Sequence, residues 1–202
     1  MHSALHVDAD RLAAVRQVQL ITIGWMLIEV LVSIGVAVRA HSIALLAFGG
    51  DSAIELLSAL VVLIHFTGTH LTERRAARLT ALLLYALAAL IACAAVLSMM
   101  KVLTPPEPTF IGMALLVAAA TVMPWLAKRK RRLSHATQSA ALAADAAQSA
   151  ICAWLAWIGL AGLLLNAAFG FSWADPLAAL AICPIVLKEA RDAWKIKACH
   201  CC

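Results

Sequence analysis

Six stretches of this chain are almost wholly apolar and long enough, at about 20 residues, to cross a lipid bilayer as helices. They run roughly over 17–38, 42–66, 77–100, 109–127, 136–165 and 173–190. The segments between them are poor candidates for hydrocarbon. TPPEP at 104–108 lacks the amide hydrogens a helix needs. KRKRR at 128–132 carries five adjacent cations, and Asn166 to Gly170 has turn composition. Only 13% of the residues are charged and 64% are hydrophobic, whereas a soluble domain has about a quarter charged. The sequence therefore predicts an all-α membrane protein with six transmembrane helices over 17–190, an N-terminal segment 1–16 and a tail 191–202. Residues 1–16 hold His2, His6, Asp8, Asp10, Arg11 and Arg16, with no apolar run and no small-residue cleavage site. The first helix is expected to be its own insertion signal.

Loop charge sets the orientation. With the N-terminus inside, 14 of the 16 Lys and Arg residues fall in the terminal segments and in the 2–3 and 4–5 loops, and only Arg39 and Lys101 fall outside. Both termini are thus expected in the cytoplasm. The same distribution accounts for the net charge of +5, so the basic run is read as a topology signal and no nucleic-acid partner is expected. Cysteines at 93, 152, 183, 199, 201 and 202 lie in apolar segments or at the end of the tail, which is not the pattern of a secreted disulfide framework.

An internal similarity links the second and fifth stretches. SIALLAFGGDSAIE (42–55) and SAALAADAAQSAIC (139–152) agree at seven of 14 positions, including two serines, a leucine and an isoleucine that alanine richness does not explain. These are the middle helices of two three-helix halves, which three crossings per half would make inverted relative to each other, a common transporter plan. On this alignment Asp51 answers Gln148, Glu55 answers Cys152 and Phe48 answers Asp145.

Acids inside the membrane are costly, about 2.5–3.5 kcal/mol each on the gentlest scale, and they mark pathways and sites. Four stand out: Glu29 in the first helix, Asp51 and Glu55 in the second, Asp145 in the fifth. Asp175, before Pro176, is expected at the interface. At 1.5 Å per residue Asp51 lies roughly 13 Å from one face, Asp145 about 14 Å from the other, and Glu55, Gln148 and Glu29 about 18 to 19 Å along their helices. Asp51 and Glu55 share one helix face, as do Asp145, Gln148 and Cys152. Ser52 and Ser149 flank these faces, and Gly49 and Gly50 suit a close helix crossing. With no lysine or arginine expected in the membrane, the carboxylates would be neutralised by protons or by a bound cation. Oxygen ligands suit many divalent cations, and the Cys152 thiolate would favour zinc or cadmium. Cys199, His200, Cys201 and Cys202 in the terminal KACHCC could capture or deliver such a metal.

These residues carry a resemblance. SIALLAFGGDSAIELLSALVVL in helix 2, SAALAADAAQSAICAW in helix 5 and WADPLAALAI in helix 6 resemble the cation diffusion facilitator (cation efflux) family over roughly residues 15–195. The resemblance implies a homodimeric antiporter that exports a divalent transition metal, usually zinc, in exchange for protons. Its transport ligands would fall on Asp51 and Glu55 and on Gln148 and Cys152. The family usually offers His and Asp at the last two positions and Asp rather than Glu at the second. Asp145, one turn earlier, fits as a replacement carboxylate. The family's cytoplasmic metal-binding domain has no counterpart here beyond the short tail, a reduction shared with short vertebrate membrane proteins of zinc handling that the chain also resembles. The expectation is a multi-pass protein of a bacterial inner (plasma) membrane, with no catalytic residues and no resident cofactor. Its cargo would be zinc, or else cadmium, cobalt, nickel, manganese or iron. The alternative is a non-transporting metal sensor or accessory subunit, suggested by Gln148, Cys152 and the tail.

Overall fold

The computed structural model describes residues 2–66, 73–137 and 139–195. Among the described residues there are six α-helices and no strand: α1 His2–Ala40, α2 Ile43–Phe66, α3 Glu73–Met99, α4 Phe110–Thr137, α5 Ala140–Phe169 and α6 Ala174–Lys195. Five of them are long and apolar enough to cross a membrane, over Arg11–Ala40, Ile43–Val61, Ala81–Met99, Phe110–Thr137 and Leu142–Phe169. The chain is a multi-pass membrane protein. Helix α6 is not among the five, since Asp175 near its start and Lys188, Glu189, Arg191 and Asp192 near its end interrupt its apolar stretch.

The bundle has the polarity of a membrane protein. Leu20, Leu27, Leu31, Leu90, Ile111 and Trp154 point outward and exposed, while Gln19, Glu29, Asp51, Glu55, Lys130 and Asp145 are buried. Helix α1 packs on α2 and α4 on α5, as two hairpins. These meet along α1–α4 and α2–α5, and α3 and α6 pack on each other. A methyl group at Gly49 would collide with Ser33 Oγ, so the α1–α2 crossing requires glycine there.

Several boundaries differ from the sequence reading. Helix α1 begins at His2, so the segment before residue 17 belongs to the first helix. Helix α5 runs to Phe169 and stops at Gly170, whose left-handed backbone (φ 67°) ends it with a hydrogen bond to Asn166 O. The largest difference is in α4, which does not end at 127. It runs through KRKRR to Thr137, because Lys and Arg favour helices and no glycine or proline interrupts 125–139. At 1.5 Å per residue its 28 residues span about 42 Å, against about 30 Å of hydrocarbon, so the basic turns extend past the apolar layer. Helix α5 accordingly begins at Ala140, and Asp145 lies about 8 Å along it rather than about 14 Å.

The internal similarity extends to backbone geometry. Ser42 and Ser139 are 97 residues apart and do the same work. Each donates its backbone N–H to the carbonyl five residues back, Ala37 or Ser134, at 3.1 and 3.2 Å. Each side chain accepts from the N–H three residues on, Leu45 or Leu142, at 3.1 and 3.3 Å. Each thus closes the end of one helix and caps the start of the next. Burial follows the same 97-residue offset: Val18, Gln19, Thr22, Met26, Glu29 and Ser33 are buried in α1, and Leu115, Leu116, Ala119, Met123, Leu126 and Lys130 in α4. The hairpins α1–α2 and α4–α5 are structural equivalents.

One interaction breaks that equivalence. Asp175 is 1% exposed, its carboxylate turned into the protein. It accepts from Ser42 Oγ at 2.5 Å, Ile43 N–H at 2.8 Å and Ala44 N–H at 3.3 Å, fastening α6 to the positive end of the α2 dipole. Asp175→Ala would leave buried amide donors unpaired, at a cost of about 1–3 kcal/mol. A lowered unfolding midpoint in detergent, measured by tryptophan fluorescence, is expected. Asp175→Asn, which keeps an acceptor, should recover part of the loss.

Candidate functional site

The polar interior lies where the two hairpins meet. Lys130 faces inward because it continues the buried stripe Leu116, Met123, Leu126, Lys130, Ser134 of α4 at helical spacing. Lys128, Arg131 and Arg132 in the same run are exposed, and half-buried Arg129 lies over the Trp125 ring at 5.3 Å. Lys130 is 0% exposed. Its Nζ stands 2.9 Å from Asp145 Oδ2, 2.8 Å from Ser149 Oγ and 3.6 Å from Glu55 Oε1. Gln19 Nε2 donates to the same Asp145 oxygen at 2.8 Å, and Ser149 Oγ donates to Glu55 Oε1. This arrangement overturns the expectation that no lysine or arginine would partner the membrane acids. That expectation rested on ending the fourth helix at 127.

A second group forms around Glu29. Trp25 Nε1 donates to Glu29 Oε1 at 2.5 Å, and Ser52 Oγ to Glu29 Oε2 at 3.1 Å. The Cys152 thiol lies 3.9 Å from Ser52 Oγ and 4.0 Å from Glu29 Oε2. The two groups mirror each other in part. Ser149 of one half meets Glu55 of the other, and Ser52 meets Cys152, the positions related by the 97-residue offset. Both serines also share a hydrogen bond with the carbonyl one turn back, Phe48 or Asp145. The alignment that pairs Glu55 with Cys152 therefore describes two related contacts across the interface of the halves.

Asp51 belongs to a third group. It is buried on α2 within electrostatic reach of Glu189, Glu55 and Glu29, and half-buried Gln148 lies close to Glu189 of α6. The sequence-predicted residues Glu29, Asp51, Glu55, Asp145, Gln148 and Cys152 thus fall into three neighbouring groups where the hairpins meet. Among the described residues, no three His, Cys, Asp or Glu side chains stand close enough to hold a metal ion in this conformation. Cys199, His200, Cys201 and Cys202 lie outside the described residues.

Sequence reasoning missed Lys130, Gln19 and Glu189. Lys130 and Gln19 each stand on a stripe that was readable, Gln19 being ten residues before Glu29 and fourteen before Ser33 on the buried face of α1. Glu189 was hidden among the charges that end α6. The interior holds five carboxyl groups (Glu29, Asp51, Glu55, Asp145 and Glu189) and, among the described residues, one buried ammonium. Several acceptors in it lack a hydrogen-bond partner among the described residues: Gln19 Oε1, Glu55 Oε2, Asp145 Oδ1 and Glu189 Oε2. Chemically this is an oxygen-rich, acid-excess cluster with the Cys152 thiol at one side.

No protein-family model matches the chain, and no curated protein matches it.

Removing one partner of a buried ion pair costs about 3–5 kcal/mol. Asp145→Leu is expected to lose stability on that scale in a denaturation series in mixed micelles. Asp145→Asn, which still offers an acceptor to Lys130 and Gln19, should lose distinctly less. Equal losses would mean that the carboxylate charge contributes nothing.

Proposed function

We propose that this chain exports a divalent transition-metal cation, zinc foremost, from the cytoplasm by proton-coupled antiport. The observation that carries this reading is the charge balance of the interior, five buried carboxyl groups against one ammonium. Burying uncompensated charge in a low-dielectric interior is expensive. Such a chamber takes up protons or a cation, and alternation between the two is the elementary step of antiport. The resemblance of helices 2, 5 and 6 to the cation diffusion facilitator family points to the same chemistry, as does a polar interior formed between two equivalent hairpins.

On this reading α6 is the sixth span. Its charges cluster at its two ends and leave 176–187 uncharged. Three crossings per half make the halves inverted, the basic turns of α4 support cytoplasmic termini, and the membrane proposed is a bacterial plasma membrane. The protein works as a homodimer. Asp51, Glu55 and Asp145 supply the oxygen ligands, with Gln148 and Cys152 completing the set and Glu29 in support. Zinc takes four ligands at about 2.0–2.3 Å, so the loaded state draws these side chains closer than they stand in this conformation. Protons entering from the far side release the metal outward, and rocking of one hairpin against the other exchanges the access.

The test is zinc flux in proteoliposomes with an imposed pH gradient. Flux that follows the gradient, collapses with a protonophore and falls to background in Asp51→Ala and Glu55→Ala is expected. Unchanged flux in both variants would remove the proposed site. Tight zinc binding with no flux of zinc, cadmium, cobalt, nickel, manganese or iron would instead make the protein a membrane metal sensor or accessory subunit.

A further inference from the structure

The function proposed above leaves Lys130 without a role, although it is the only buried cation among the described residues and touches two of the carboxylates assigned to the metal. Its Nζ stands where a cation held by Asp145, Glu55 and Ser149 would stand, 2.9, 3.6 and 2.8 Å from their oxygens. The stem arrives from α4, one hairpin partner of α5, while Glu55 arrives from the other hairpin. The ammonium therefore bridges the two halves. Around it, Asp145 Oδ1, Glu55 Oε2 and Gln19 Oε1 are buried acceptors without a donor among the described residues. A lysine placed only to neutralise its acids would not need a ring of spare acceptors beside it. Those acceptors are what an incoming cation would engage once the ammonium moves aside.

We propose that Lys130 is a tethered counter-cation that occupies the site between Asp145 and Glu55 when no cargo is bound and is displaced by the cargo cation. This rests on the reading of the protein as a cation transporter. Two like charges cannot share one cluster of carboxylates at a few ångströms without strong repulsion. Arrival of a divalent ion and departure of the ammonium are therefore coupled. The lysine acts as a built-in competitor that weakens cargo affinity, and so eases cargo release, without being a ligand itself.

The experiment measures zinc binding to the purified full-length protein by calorimetry, together with zinc flux in proteoliposomes, for wild type, Lys130→Met, Lys130→Gln and Lys130→Arg. Removing the charge is expected to lower the zinc Kd about tenfold or more and to slow net turnover, because the cargo is no longer expelled. Lys130→Arg, which keeps the charge, should stay near the wild-type Kd. Lys130→Gln retains a donor for Asp145 and Ser149 and serves if Lys130→Met does not fold. A wild type that transports zinc while both neutral variants bind it no more tightly would overturn the role of Lys130 and leave the transport reading intact. Failure of both neutral variants to fold while Lys130→Arg folds would also overturn it, reducing Lys130 to a structural counter-ion. A wild type that neither binds nor carries any cation would overturn the transport reading itself.

Discussion

Much of this molecule follows from one electrostatic constraint: an ammonium and two carboxylates, contributed by different halves, must neutralise one another away from water. Lys130, Asp145 and Glu55 can do so only if α4, α5 and α2 hold their register to within a fraction of a helical turn. Ser149 and Gln19 add hydrogen bonds to this group, and through Gln19 one further helix, α1, is tied to the same place. A buried ion pair is weak evidence for stability, since desolvation offsets most of its attraction. Its effect is on specificity: sliding α4 by one residue would turn Lys130 off its partners and bring the bulkier, differently shaped guanidinium of Arg129 or Arg131 toward them.

The elements that surround this group were legible in the sequence to different degrees. The apolar runs placed all six helices, because length and hydropathy are what a bilayer selects for. The similarity of 42–55 and 139–152 aligns Ser52 with Ser149, and in the structure their contacts with Cys152 and Glu55 pair across the halves. Lys130 was not legible by the same reasoning. A basic run was treated as a loop because it cannot sit in hydrocarbon, but that argument concerns lipid exposure and says nothing about helicity. One residue in such a run can turn inward while its neighbours stay outside, and the 3–4 spacing from Met123 and Leu126 was the signal that it does.

Asp175 shows the opposite limitation. Its position before Pro176 suggested an interfacial residue, and it does begin a helix. What spacing could not show is that its carboxylate turns away from its own helix to cap α2, more than 130 residues earlier in the chain. Tertiary capping leaves no local pattern. The acids differ in the same way: four of the five, Glu29, Asp51, Glu55 and Asp145, stood out in the sequence, while their division into groups around Lys130, Glu29 and Glu189 depends on which helices are neighbours.

The short connections at 41–42 and 138–139 have a mechanical consequence. Each joins two helices through only two residues and is closed by the same serine hydrogen bonds, so neither hairpin can shear internally without breaking its own cap. The compliant seam is therefore between the hairpins. Ser149–Glu55, Ser52–Cys152 and the reach of Lys130 toward Glu55 lie across it, and they act as latches between two stiff levers. Separating the hairpins would have to release those polar contacts together, with Gln19–Asp145 among them, which would make such a motion closer to a toggle between two seated positions than to a gradual flexing.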